Sequence, residues 1–223
     1  MKTILFILPL MISYTVIMLT TGWANRIKPG ITTYQEPQPA NFKMLNYLHA
    51  ASTLMMILPV FTTASAPFFL LLFPDKINIG QTIAFLTCFG IIGFFPWKKM
   101  YDVGQKTDNI IIPVPAFFLY GSLRLLFLIS YEWFFRALLL TDLSSWVGTE
   151  YGIIINVLLY ALIHIHKSKK EIIGCLPFGL LVCVFTVWWQ SVWPAIIFHL
   201  QIAIVNEWPP FQKIISPQKQ ATL

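Results

Sequence analysis

Apolar positions along this chain gather into long runs, and polar or charged positions gather into the short segments between them. The runs lie at 4–23, 46–73, 77–95, 111–140, 151–166, 172–189 and 192–208. A helix crosses the hydrocarbon core of a bilayer in about 20 residues and pairs its own backbone groups while doing so. The pattern therefore predicts an all-α fold, a polytopic transmembrane helix bundle of about seven spans, with 1–223 as a single transmembrane domain. Pro59 and Pro67 fall inside the second run and predict a kink or a division there. The first run has the length of a retained span and lacks an A-x-A cleavage site, so it reads as a crossing rather than a signal peptide.

Composition strengthens this picture: 57% of residues are hydrophobic and 11% charged, which excludes an ordinary soluble domain. The net charge of +6 is carried by short clusters between runs. Seven alternating crossings put Arg26, Lys28, Lys43, Lys98, Lys99, Lys106, Lys167, Lys169, Lys170, Lys213 and Lys219 on one side. Lys2 and Lys76 fall on the other, with Asp75, Asp142 and Glu150. By the positive-inside rule the first side is cytoplasmic, which predicts the N-terminus outside and the C-terminus inside. The basic residues are thus explained by topology, with the lipid bilayer as partner and no nucleic acid. Cys88, Cys175 and Cys183 lie in apolar runs without C-x-x-C spacing and read as small buried thiols.

Four polar side chains interrupt three of the runs. The run 111–140 would extend about 45 Å as one helix, so it must tilt, bend or leave the bilayer. Within it Glu132 and Arg136 are four apart and share a face, where each compensates the other's charge. Arg124 lies two turns earlier, near the same edge. His164 follows Tyr160 by four residues and shares its face, whereas His166 points away and reads as interfacial. His199 sits near the middle of the last run, with Asn206 two turns further on. Depth along each helix puts Glu132 and His199 about 12 Å from the noncytoplasmic end and His164 roughly 20 Å from it. A shift of about two to four residues in the run ends brings all three to one cavity. A carboxylate and two imidazoles around one hydrated cavity activate water and stabilise an oxyanion. The same three residues form a His2Glu set for a divalent metal such as zinc. They equally suit ion or proton transfer.

The stretch 120–208 resembles the CPBP family of intramembrane endopeptidases, named for CAAX proteases and bacteriocin-processing enzymes and also called Abi proteins. The resemblance rests on YEWFFR at 131–136, YALIH at 160–164 and HLQIA at 199–203, set against E-E-x-x-x-R, F-x-x-x-H and H-x-x-x-N or H-x-x-x-D. Tyr131 stands where the family has its first glutamate, and Ala203 where it has Asn or Asp. The resemblance implies a protease-like core at 120–208 that hydrolyses peptide bonds of membrane-associated peptides or proteins. It carries catalytic roles to Glu132, Arg136, His164 and His199: water activation by His164 with Glu132, oxyanion stabilisation by His199, and Arg136 holding Glu132. The two departures keep a second outcome open, a catalytically inactive member serving as a membrane binding, immunity or scaffold protein. An integral protein of a bacterial cytoplasmic membrane is expected in either case.

Overall fold

Backbone amides and carbonyls flanked by apolar side chains find few partners outside their own segment, and a helix supplies those partners internally. The apolar runs accordingly form helices in the computed structural model, which describes residues 2–27, 39–61, 72–74, 77–104, 114–167 and 169–215. The helices are α1 (Lys2–Ile27), α2 (Pro39–Ile57), α3 (Ile79–Gly104), α4 (Val114–Glu132), α5 (Leu140–Val147), α6 (Thr149–Leu162), α7 (Lys169–Trp189) and α8 (Trp193–Ile215). A π-helical segment, Trp133–Leu139, joins α4 to α5 without a break. Among the described residues there is no strand, so the all-α expectation holds.

The count of about seven spans is not reproduced at full length. Among the described residues, α7 is the one helix long and apolar enough to cross a bilayer by length and composition. Four shorter apolar stretches accompany it: Met11–Ala24, Ile79–Phe94, Thr149–Leu162 and Trp193–Val205. Within the second run the helix ends where backbone geometry changes. In the second run α2 stops at Ile57 and tightens into a 3₁₀ turn, Leu58–Phe61, at Pro59, whose ring removes an amide donor. Pro67 lies outside the described residues.

Polarity is distributed inside out relative to a water-soluble bundle. Ile79 is 80% exposed, and Leu19, Phe94, Phe118 and Ile173 are also exposed, while Glu132, Arg136 and Asn156 are completely buried. From Leu128 to Leu140 the central segment is almost wholly enclosed. A helix apolar on all sides belongs at the centre of a bundle. Around it, α2 and α8 pack on α4, while α6 and α7 reach the π-helical segment.

The return from α5 to α6 is made at Gly148, whose φ of +88° is a conformation that residues with a Cβ rarely adopt. Its amide donates to the Ser144 carbonyl at 3.0 Å, and its own carbonyl accepts from Gly152 at 2.8 Å. A Cβ on Gly152 would lie 2.9 Å from the Ser144 backbone nitrogen and 3.0 Å from its Cα. Because backbone atoms cannot swing aside as a side-chain tip can, Gly152→Ala is expected to destabilise the fold by about 1–3 kcal/mol. Thermal unfolding of the variant in detergent checks this. An unshifted midpoint would show that α5 moves freely against α6.

Candidate functional site

The site begins with a change of helical pitch. After Glu132 the chain adopts i→i+5 pairing, seen where the Leu140 amide donates to the Phe135 carbonyl. That carbonyl also accepts a 2.7 Å hydrogen bond from the Asn156 Nδ2 amide. A side chain from α6 is thus tied to the backbone of the wider ladder.

Arg136 projects from this segment. Its Nη1 donates to Asn156 Oδ1 at 2.6 Å, and its Nε lies 3.3 Å from Glu132 Oε2. The second contact lacks hydrogen-bond alignment, so the attraction there is chiefly between charges. The guanidinium carbon also lies 4.7 Å from the centroid of the Tyr160 ring. Cys183 contributes a weak thiol donor to Asn156 Oδ1 at 3.4 Å. Asn156 therefore orients Arg136, and Arg136 compensates Glu132, with no exposure at any of the three.

Glu132 Oε1 meets His199 Nδ1 at 2.5 Å. An ionised carboxylate only accepts hydrogen bonds. Against an ionised Glu132, a neutral His199 therefore carries its proton on Nδ1 and keeps a lone pair on Nε2. This is the relation between base and orienting carboxylate found in catalytic triads.

His164 is held differently. The run 151–166 predicted one helix, but α6 ends at Leu162 and the chain continues in tighter turns. The His164 amide bonds to the Ala161 carbonyl rather than to that of Tyr160. His164 Nδ1 lies 2.8 Å from the Tyr160 carbonyl. With that hydrogen bond donated by the ring, His164 also keeps Nε2 as its acceptor.

Tyr131 touches both imidazoles. Its ring makes edge contacts with His199 and His164, with centroids 5.4 Å and 6.4 Å away, and with Tyr160 at 5.9 Å. Glu132 and His199 are thus in direct contact, and His164 touches the same Tyr131 ring. Arg124 lies elsewhere: its guanidinium carbon is 5.4 Å from the Phe127 ring, against which His49 also stacks. His166 is exposed near α1, where a Cβ on Gly22 would fall 2.7 Å from its Nε2. Ala203 is buried one turn past His199, and the Asn206 side chain is outside the described residues.

Two buried polar residues are not singled out by the sequence, Asn156 within the site and His49 outside it. Asn156 precedes Tyr160 and His164 by four and eight residues, so all three share a face, and that spacing was the available signal. His49 had no such signal, since its neighbours Tyr120 and Phe127 come from a distant part of the chain.

Glu132, His164 and His199 are not assembled as a three-ligand metal set in this structure. One Glu132 oxygen faces Arg136 and the other holds His199 Nδ1, while His164 Nδ1 is bonded to the Tyr160 carbonyl. Among the described residues no group of three His, Cys, Asp or Glu side chains is placed to share an ion. What the geometry does provide is a carboxylate-oriented imidazole, a second imidazole with a free acceptor nitrogen, and a buried cation fixing the carboxylate.

No curated protein and no solved structure matches the chain. Residues 113–205, which contain every contact just described between α4, the π-helical segment, α6, α7 and α8, match the family model Type II CAAX prenyl endopeptidase Rce1-like. This match, over part of the chain, supports kinship with the broader CAAX protease and Abi-like superfamily.

Proposed function

We propose that the chain is a polytopic membrane protein of about seven spans that hydrolyses peptide bonds in membrane-associated substrates. The buried hydrogen bond between Glu132 and His199 carries this reading. The match of 113–205 supports the endopeptidase class, and an apolar exterior around a charged interior supports membrane embedding. The segregated lysines support a cytoplasmic C-terminus.

In this mechanism the roles suggested by the family pattern change places. His199, oriented by Glu132, takes the proton from water through Nε2, and Arg136 with Asn156 holds the carboxylate. His164 Nε2 accepts a hydrogen bond from the water and positions it. No step passes through a metal. Purified protein in liposomes is expected to cleave prenylated or signal-like peptides, to keep its rate after EDTA treatment, and to fall to background as His199→Ala. Absence of cleavage across the peptide panel, or unimpaired cleavage by His199→Ala, overturns the reading.

A second reading is favoured by Tyr131 and Ala203, which place a phenol and a methyl group where the resembled family carries polar catalytic side chains. On that reading the fold binds a membrane partner as an immunity or scaffold protein without hydrolysis. It requires that Glu132→Gln, folded and similar in shape, preserve the cellular phenotype. A null phenotype from that variant removes it.

A further inference from the structure

We propose that the Tyr131 hydroxyl is the oxyanion donor of this site, a role that rests on the peptidase reading above. Tyr131 is only 4% exposed, and its hydroxyl oxygen has no hydrogen-bond partner. Three other buried hydroxyls are paired, Tyr14 with the Leu159 carbonyl, Ser130 with Leu126 and Thr186 with Val182, whereas Ser144 Oγ on α5 shares the unpartnered state of Tyr131. A buried polar group without a partner is costly, and phenylalanine would fill the same space without stranding a hydroxyl. The hydroxyl thus brings no visible structural benefit to a position whose ring touches both imidazoles.

The other groups around those imidazoles are already committed. The His199 Nδ1 proton points to Glu132, the His164 Nδ1 proton to the Tyr160 carbonyl, and Ala203 offers no polar atom. Both Nε2 atoms are acceptors, and neither can donate to a negative oxygen before it has taken a proton. Among the described side chains that touch both imidazoles, the phenol of Tyr131 is a neutral donor without a partner. A neutral donor in a water-poor site stabilises developing negative charge most effectively when it is fixed in advance.

In the step so described, water oxygen bonds to the peptide carbonyl carbon and its proton passes to His199 Nε2. The carbonyl π pair moves onto oxygen, which accepts a hydrogen bond from Tyr131 while the phenol keeps its proton. Collapse re-forms the carbonyl, breaks the carbon–nitrogen bond, and sends the proton from His199 to the departing amine.

The test compares wild type, Tyr131→Phe and His199→Ala, full length in liposomes, on the best-cleaved peptide. Tyr131→Phe is expected to lower kcat on the order of 100- to 1,000-fold, to change KM little, and to leave the thermal midpoint unchanged or raised. Should that variant fold poorly, fluorotyrosine incorporated at position 131 provides the second measurement, because a more acidic phenol strengthens the donor and alters kcat. Wild-type kcat in Tyr131→Phe, or with fluorotyrosine, overturns the proposal while an inactive His199→Ala leaves the peptidase reading standing. An active His199→Ala, or a wild type that cleaves nothing, overturns both.

Discussion

Glu132→Gln is expected to yield a folded protein that cleaves peptide about 100- to 10,000-fold more slowly than the wild type, the range a general base contributes. The loss follows from a change of tautomer rather than of shape. Arg136 Nε lies beside one Glu132 oxygen, so a glutamine there turns its carbonyl oxygen toward the guanidinium. Its amide nitrogen then faces His199 Nδ1, where the carboxylate oxygen had been. Nδ1 must now accept, the ring proton moves to Nε2, and the lone pair that would receive a proton from water disappears. In triad enzymes the equivalent carboxylate-to-amide change costs about 10,000-fold for the same reason. Steady-state kinetics should show the fall in kcat with KM nearly constant, the signature of an interaction made in the transition state. A variant with the wild-type rate would mean that Glu132 is only structural, and the pairing with His199 would have lost its chemical meaning.

The parts of this arrangement that could be read from the sequence are those governed by local helical spacing. Glu132 and Arg136 were paired because residues four apart share a face, and that relation survives into the π-helical segment. The choice of imidazole was not legible. Depth along a helix axis is set by 1.5 Å per residue, but it carries no information about which neighbour lies at a given azimuth. Two local departures from regular helix then decided the matter. Pairing of i→i+5 after Glu132 changes the rotation per residue, and the tight turns after Leu162 swing His164 back onto its own helix. Neither is signalled by hydropathy, since Phe134, Phe135, Ile163 and Ile165 suit ordinary helix as well. Element boundaries were hidden for a related reason. Runs such as 46–73 and 111–140 are continuous in apolar character but change backbone geometry inside, at Leu58 and at Trp133.

Arg136→Met is expected to destabilise the protein by about 3–5 kcal/mol, the cost of leaving a buried ion without its partner. Three groups lose something at once. Glu132 keeps only the His199 contact in a place with no solvent exposure, Asn156 Oδ1 loses its 2.6 Å donor, and the Tyr160 ring loses the cation over its face. Lysine does not repair this, because one ammonium cannot reproduce the planar fork that addresses Glu132 through Nε and Asn156 through Nη1. The double variant Arg136→Met with Glu132→Gln should recover part of the lost stability, since no uncompensated carboxylate remains. Unfolding midpoints of the wild type, both single variants and the double variant in detergent give the coupling energy directly. If Arg136→Met lies within about 0.5 kcal/mol of the wild type, as substitutions at uninvolved surface positions do, the charges are hydrated and the buried network is not what orients His199.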